Sequence, residues 1–175
     1  MIDLDNILKK FFKEWGIPLL GAALLALVIY KFIFFNVKVP SESMYPTIQV
    51  GDKIFVTRIY GEDSLKRGDI VVFDSDELGK RLIKRLIGLP GDKLEFKEDG
   101  TLYINGEKVD EPYVKNNDNK VGVFNVPEHC YFFAGDNRSN SLDARSWQNP
   151  YISYDDIQGK ARFIIQPFSR FGKLQ

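Results

Sequence analysis

The amino-terminal part of the chain carries a long, unbroken run of apolar residues. Between residues 17 and 35 the only charged side chain is Lys31. A helix of this length, rising ~1.5 Å per residue, approaches the ~30 Å thickness of the hydrocarbon core of a bilayer. Because the run is apolar on every face, a buried core helix is the weaker alternative. The pattern therefore predicts one transmembrane helix over residues 17–35.

The residues that flank this run indicate that it is retained as an anchor. Bulky residues at 32–35 (Phe-Ile-Phe-Phe) occupy the place where a cleavable signal peptide has small residues. Lysines both precede and follow the run, so the positive-inside bias is slight and favours a cytoplasmic amino terminus. We therefore expect a cytoplasmic segment over residues 1–16, the helix over 17–35 and an extracytoplasmic domain over 36–175.

After residue 37 the pattern changes to short runs rich in β-branched and aromatic residues, broken by Gly, Asp, Asn and Pro. This pattern predicts an all-β domain of several short antiparallel strands and hairpins. The predicted strands are 53–60, 69–73, 81–88, 93–96, 101–104, 131–134 and 161–165. Asp99-Gly100 and Asn105-Gly106 are predicted to form type I′ hairpin turns, because both central positions of that turn need positive φ. The polar stretch 115–120 is predicted to be a loop, with no indication of a pocket.

Composition excludes several kinds of function. The chain has 24 basic and 24 acidic residues, so it has no excess positive charge for binding nucleic acid. With one cysteine, Cys130, it cannot form an intrachain disulfide. No grouping of His, Asp and Glu has the spacing of a metal site, so we expect neither metal nor cofactor.

Two serines follow the predicted helix, within residues 40–46 (Pro-Ser-Glu-Ser-Met-Tyr-Pro). Ser41 and Ser43 could divide the work of acyl transfer, one attacking while the other donates a hydrogen bond to the oxyanion. The only histidine, His129, lies far downstream, so a lysine is the obvious candidate for the base. An ordinary proline-bounded turn is the alternative.

Lys84 has the surroundings that such a base needs. With the period of two of a strand, Leu82, Lys84 and Leu86 share one face. Burial on an apolar face can lower a lysine pKa from ~10.4 by up to ~3–5, which makes the neutral form available. An ordinary lysine on an edge strand is the alternative.

A polar cluster over residues 135–145 follows the apolar run 131–134. In this cluster Ser141 could hydrogen-bond the lysine and aim it, and Asp143 with Arg145 could form an ion pair that fixes the loop. A solvated loop with Asx turns is the alternative. Three aspartates that adjoin glycines are predicted to serve turns: Asp69, Asp92 and Asp136.

Together these segments resemble the type I signal peptidases (leader peptidases) of bacteria. Residues 40–47 are similar to the serine box of that family, 51–54 to its next motif, 84–92 to its lysine box and 135–143 to its last motif. The four motifs stand in the family's order after an amino-terminal anchor and cover nearly the whole chain. The short chain and single anchor resemble the small Gram-positive members.

The resemblance implies a membrane-anchored serine endopeptidase that needs no cofactor. It would remove signal peptides from exported preproteins, after small residues of the Ala-x-Ala type, on the outer face of the cytoplasmic membrane. Ser43 would be the nucleophile and Lys84 the general base, with the Ser41 hydroxyl and the Ser43 amide as the oxyanion hole. The implied supporting residues are Ser141, which would orient the lysine, and Asp143 with Arg145. The candidates for lining the shallow substrate pockets are Val37, Val39, Met44, Leu82 and Ile83.

The chain departs from the family pattern at Ser139, where Asp is frequent, at Ala144, where Ser is frequent, and over residues 147–150, which lack the usual glycine. These departures are expected to affect loop packing or substrate preference. Two rival functions remain open. One is a self-cleaving Ser–Lys protease of the repressor type that acts in transcription. The other is a non-catalytic, membrane-tethered β module that binds peptides.

Overall fold

The computed structural model describes residues 10–174, so most of the predicted cytoplasmic segment, residues 1–9, lies outside the described part. The chain divides into two units, residues 1–35 and residues 36–175.

The first unit is helical. A π-helical turn over Phe12–Gly16 leads into helix α1, Ile17–Ile33. The continuous helix Phe12–Ile33 has a mean hydropathy of 2.1 and buries none of its residues, so its length and composition suffice for one membrane crossing. The α-helix ends at Ile33, two residues before the predicted end, because the chain becomes extended at Phe34.

The second unit is built from β-strands, which confirms the predicted all-β class. The strands are β1 Phe34–Lys38, β2 Lys53–Thr57, β3 Ile70–Ser75, β4 Lys80–Gly88, β5 Lys93–Phe96, β6 Leu102–Ile104, β7 Glu107–Val109, β8 Gly122–Asn125, β9 Cys130–Ala134, β10 Tyr151–Ser153, β11 Ile157–Gln166 and β12 Gly172–Lys173. The larger sheet has the order β1-β2-β11-β3-β4-β9-β10, with β12 beside β11. The smaller sheet has the order β7-β6-β5-β8.

All seven predicted strands are present, with shifted ends, and β11 is the longest at 10 residues. The sequence pattern missed β1, β7, β8, β10 and β12. Most of these are two to four residues long, and several expose alternate or successive residues. Such short segments become strands because a partner strand pairs with them, and their own composition carries little signal.

The two predicted hairpin turns differ in type. Asn105 and Gly106 both have positive φ, 53° and 86°, and join β6 to β7 as predicted. In the other hairpin only Gly100 has positive φ, 78°, so a type I′ turn at Asp99-Gly100 is wrong. The five residues between β5 and β6 form a longer loop, in which a single left-handed residue closes the connection.

Strand β9 connects the cores of the two sheets. Phe133 stacks on Phe73 of β3, with ring centroids 4.3 Å apart. Phe132 points to the opposite face and packs against Phe124 of the smaller sheet at 4.7 Å. Because β9 is buried on both faces, its sequence is a continuous apolar run rather than an alternating one.

Candidate active site

Ser43 lies in a segment that the core holds in place. Met44 and Ile48 are fully buried, and the Ile48 amide donates to the Met44 carbonyl at 2.9 Å. The Ser43 side chain is 8% exposed, and its hydroxyl oxygen lies 3.4 Å from that of Ser41. Within residues 10–174 the Ser43 amide donates no hydrogen bond, so it is available to a substrate. We call residues 40–48 the serine segment.

Lys84 is buried in the middle of the larger sheet. Strand β4 lies between β3 and β9, so Lys84 is not an edge-strand lysine, and its side chain is 3% exposed. Burial is the main reason why its pKa falls from 10.5 to about 8. The Asp143 carboxylate acts in the opposite direction and limits the fall. A lysine amine with this pKa can exchange a proton near neutral pH.

The Lys84 amine forms a hydrogen bond with Ser141. Its Nζ donates to the Ser141 hydroxyl at 3.1 Å. Among the described residues no hydrogen bond joins Lys84 Nζ directly to the Ser43 hydroxyl, although both groups border the same cavity. Catalytic hydrogen bonds are often long without substrate and tighten when it binds.

Asp143 and Arg145 form the predicted ion pair beneath this lysine. Arg145 Nε donates to Asp143 Oδ1 at 2.9 Å, and the other carboxylate oxygen accepts from the Gly135 amide at 2.9 Å. Burial by itself would raise the pKa of Asp143, but the Arg145 guanidinium and these hydrogen bonds outweigh it and lower that pKa. The carboxylate therefore stays charged close to Lys84.

Gly135 permits the close approach of the polar loop to the serine segment. A Cβ atom at this position would overlap the Ser141 hydroxyl and the Ser43 carbonyl oxygen. Gly135 belongs to the sequence motif over residues 135–143, but the sequence indicates no role for it. No local pattern shows that two distant segments meet at its Cα.

A buried ion pair connects β4 to the serine segment. Arg85 and Asp136, 2% and 0% exposed, form two hydrogen bonds of 2.8 and 2.7 Å. The Thr47 hydroxyl donates to the same carboxylate at 2.5 Å. The expectation that Asp136 serves a turn is therefore wrong, because its carboxylate is needed to pair the buried arginine. Asp69 and Asp92 do accept backbone hydrogen bonds in turns.

Asn137 holds the serine segment in place through two hydrogen bonds. Its amide donates to the Ser43 carbonyl at 3.1 Å, and its side-chain nitrogen donates to the Glu42 carbonyl at 3.1 Å. Both bonds hold the backbone on either side of the Ser43 amide. The Ser43 side chain is thus placed by backbone contacts as well as by the buried Met44.

The polar stretch 115–120 does more than the plain loop that was predicted. The Lys115 amide donates to the Asp136 carbonyl at 2.8 Å, and the Arg138 amide donates back to the Lys115 carbonyl at 3.1 Å. Asp118 accepts from Arg145 Nη1 at 2.6 Å. This stretch lines neither of the two cavities that Ser43 and Lys84 border, but it supports the loop that carries Ser141.

Two cavities meet at Ser43 and Lys84. The first, of about 280 Å³, extends past Val37, Leu82 and Ile83, which are three of the predicted substrate-binding residues. The other two candidates, Val39 and Met44, are 2% and 0% exposed and do not line it. The second, of about 410 Å³, extends toward Leu78, Lys80 and the loop 139–142.

The three departures from the family pattern lie beside this loop. Ser139 borders the second cavity, and its amide donates to the Asn116 carbonyl at 2.8 Å. Ala144 is fully buried, and Trp147 packs edge-on against Phe73 at 6.3 Å. The Gln148 amide donates to the Glu77 carboxylate at 3.1 Å. Among the described residues, His, Cys, Asp and Glu form no group of three that could hold a metal ion.

Known proteins match the chain over nearly all of this architecture. The model of the signal peptidase family, peptidase S26, matches residues 12–166. This chain belongs to the signal peptidase family. It is accordingly a membrane-anchored serine endopeptidase that removes signal peptides, and neither rival function is favoured. The family membership also makes preproteins with signal peptides its substrates.

The similar proteins include Gram-positive enzymes, in line with the predicted subgroup. Signal peptidase I P of Bacillus subtilis subsp. natto is 40% identical over 179 residues, which cover 95% of each chain. Signal peptidase IB of Staphylococcus aureus strain Mu50 is 37% identical over 184 residues, which cover 94% of each chain. A crystal structure of a signal peptidase I from Enterococcus faecalis V583, 37% identical, covers 55% of this chain and 95% of its own with a TM-score of 0.46.

Proposed function

We propose that the chain cleaves signal peptides with a Ser–Lys dyad in which Ser43 is the nucleophile and Lys84 the general base. The observation that carries this proposal is the buried Lys84 amine, with a pKa of about 8, on the wall of the cavity that Ser43 also borders. At that pKa roughly one molecule in ten has a neutral amine at pH 7. The only histidine is 79% exposed and is paired with Glu62, so it offers no competing base.

The dyad accounts for every proton in the reaction. Neutral Lys84 takes the proton of the Ser43 hydroxyl as Oγ attacks the carbonyl carbon of the scissile bond. The resulting ammonium then gives its proton to the leaving amine, and an ester between Ser43 and the signal peptide remains. Lys84 next takes a proton from water, which attacks the ester and releases the signal peptide, and the proton returns to Ser43.

The neighbouring groups assist these steps. The Ser43 amide and the Ser41 hydroxyl donate to the oxyanion of each tetrahedral intermediate. Ser141 orients the lysine through its 3.1 Å hydrogen bond. Asp143 stabilises the ammonium form when it appears, and Arg145 keeps Asp143 charged. Lys84 is thus held in place and supported electrostatically in both protonation states.

The first cavity is the proposed binding site for the small side chains at positions −1 and −3 of the signal peptide. Val37, Leu82 and Ile83 make its wall apolar and shallow enough for alanine. Val39 and Met44 stay predictions for the same subsites, since both are buried next to the wall. An extended substrate would lie in the cleft as an additional strand.

The dyad is tested by substitution at both residues. Ser43→Ala and Lys84→Ala are expected to abolish cleavage of a preprotein with an Ala-x-Ala site while leaving membrane insertion intact. Lys84→Arg is also expected to be inactive, because a guanidinium stays protonated. Lys108→Ala, at an exposed lysine outside the four motifs, is the matched control. Sequencing of the new amino terminus should show cleavage after the second alanine, and full activity in a Ser43 or Lys84 variant would refute the dyad.

We further propose that α1 crosses the bilayer once, with the amino terminus in the cytoplasm and residues 36–175 outside. The apolar helix Phe12–Ile33 supports a lipid contact by its length and composition. Such an anchor would keep enzyme and substrate on one membrane surface and so raise their effective concentration. In a Cys130→Ser background, Glu98→Cys should react with a membrane-impermeant maleimide on intact cells. Protection of this exposed residue until lysis would indicate the opposite orientation.

A further inference from the structure

The second cavity extends away from the dyad in a different direction from the first. The two share Ser41, Ser43, Leu82 and Lys84. Beyond these residues the first continues to Val37 on β1, whereas the second continues to the turn before β4 and the loop 139–142. A peptide attacked at Ser43 has chain on both sides of the scissile bond. The two cavities therefore suit the two sides of one substrate.

The side chains that line each cavity indicate which side of the substrate it binds. The first has the apolar side chains Val37, Val72 and Ile83, which suit the small side chains of a signal peptide. It also has the cations Lys38 and Arg81 in its lining, and Arg81 is paired with Asp74. The second contains the polar side chains Ser139, Asn140 and Ser141 together with the cation of Lys80. The second cavity thus has the chemistry for the polar start of a mature chain.

Lys80 gives the second cavity a positive wall. Its ammonium has no ion-pair partner within residues 10–174, and no carboxylate lines the cavity. The nearby Glu77 carboxylate accepts the amides of Gln148 and Asn149 at 3.1 and 2.8 Å. The Glu42 carboxylate accepts from Asn140 Nδ2 at 3.3 Å. These two carboxylates are already engaged, and Asp74 pairs with Arg81. Asp76 lines a neighbouring cavity with Lys80 but forms no ion pair with it among the described residues. The Lys80 charge is therefore available to a substrate.

We propose that the second cavity binds the first residues of the mature chain and that Lys80 makes an acidic side chain there the preferred one. This inference rests on the proposed dyad, because Ser43 marks the scissile bond between the two cavities. Lys80 is a specificity-determining residue in this proposal, and the expected partner is a carboxylate at position +1, +2 or +3. A partly exposed charge pair of this kind changes kcat/KM by roughly two- to fivefold.

Lys80 also affects the base itself. Its positive charge is one of the influences that lower the pKa of Lys84. Lys80→Glu therefore moves the pH profile of cleavage to higher pH for every substrate. Because this shift is common to all substrates, the ratio of kcat/KM values for two substrates at one pH isolates the contact with the substrate.

The test uses the full chain in detergent micelles and peptides that share one Ala-x-Ala signal side. Glu or Lys is placed singly at +1, +2 or +3, and a further pair carries Glu or Lys at −2. The Glu-to-Lys ratio of kcat/KM is measured for the unsubstituted protein, Lys80→Glu and the control Lys108→Glu, which changes an exposed lysine of the smaller sheet. Measurements at low and at ~0.5 M salt test whether the preference is electrostatic.

For the unsubstituted protein we expect a Glu-to-Lys ratio of kcat/KM above one in at least one position from +1 to +3. This preference should be reversed in Lys80→Glu and unchanged in Lys108→Glu. The ratio should be smaller at high salt. Equal ratios in the unsubstituted protein and Lys80→Glu would overturn the inference while cleavage itself continued. A reversal confined to position −2 would also overturn it, because the cavity would then hold the signal side. Failure of the dyad would appear instead as undiminished cleavage by Ser43→Ala.

Discussion

The buried position of Lys84, which the proposed mechanism needs, lowers the stability of the fold. The Lys84 side chain is 3% exposed and its amine is still mostly protonated at pH 7, so the ammonium has lost hydration, and within residues 10–174 it has gained no direct ion pair. The burial that lowers its pKa, as the proposed general base requires, therefore destabilises the folded chain. Asp143 offsets part of this cost, since its carboxylate raises the pKa of Lys84.

Lys84→Met is expected to stabilise the fold while abolishing activity. The pKa difference between 10.5 and about 8 corresponds to about 3 kcal/mol at ~1.4 kcal/mol per unit. This cost is fully present below pH 8, because the unfolded chain then binds the proton more tightly. It disappears as the pH rises toward 10.5. Unfolding of both proteins at pH 7 and pH 10 should show a gap that shrinks with pH, and a constant gap would contradict this account.

Gly135→Ala is expected to reduce activity much more than stability. The new methyl group would displace the Ser141 hydroxyl or the Ser43 carbonyl, which both lie within its radius. A displacement of about 1 Å in a catalytic group can cost ~100-fold in rate. Gly61→Ala is the matched control, since a Cβ there meets no atom within 4 Å. Steady-state kinetics and thermal unfolding of both variants would separate the two effects.

At the scale of elements, the active site depends on contacts among three segments that are far apart in the chain. β4 contributes Lys84 and Arg85, the loop after β9 contributes Asp136 and Ser141, and the serine segment contributes Ser43, the proposed nucleophile. Adjacent residues of β4 thus have different tasks. Lys84 faces the cavity, while Arg85 pairs with Asp136 and so fixes the loop.

Thr47→Val tests this connection without changing side-chain shape. It removes the hydroxyl that donates to Asp136 at 2.5 Å and leaves the Arg85–Asp136 pair intact. We expect a loss of about 1 kcal/mol in stability, together with a roughly ten- to hundredfold loss of kcat as the serine segment shifts. Thr57→Val, which removes a hydroxyl bonded to Arg162 at 2.9 Å, is the control. Equal kinetic effects of the two variants would count against a special role for Thr47.

At the scale of the second unit, the segment 111–118, which lies between β7 and β8 of the smaller sheet, supports the active-site loop. Arg138 is 1% exposed and forms two hydrogen bonds with Glu111, of 3.0 and 2.6 Å. Its Nε also donates to the Gly135 carbonyl at 3.0 Å. The Tyr113 ring lies 4.0 Å from the Arg85 guanidinium. The segment 111–118 therefore contacts the loop through buried charges.

Glu111→Gln is expected to destabilise the whole unit. It leaves the buried Arg138 without its counter-ion, which typically costs about 3–5 kcal/mol. The double variant Glu111→Gln with Arg138→Met should recover part of that loss, because it removes the unpaired charge as well. Chemical denaturation of the three proteins would show this order. A single variant as stable as the unsubstituted chain would mean that solvent reaches Arg138.

Features that depend on neighbouring residues could be predicted from the sequence alone. The apolar run predicts the helix, short β-branched runs predict seven strands distributed over both sheets, and two-residue periodicity places Lys84 on a face with Leu86. Each of these is a pattern within one element, where the backbone geometry dictates which side chains share a face. Hence the class of fold and the candidate residues of the site could be predicted.

How distant segments combine became visible only in the folded chain. The structure showed that Asp136 pairs with Arg85 rather than serving a turn and that residues 115–120 support the loop. It also showed that Val39 and Met44 are buried and do not line the first cavity. It also revealed two cavities that share Ser43 and Lys84. These features arise from close packing between elements that meet only in the folded chain, so no periodicity along the chain encodes them.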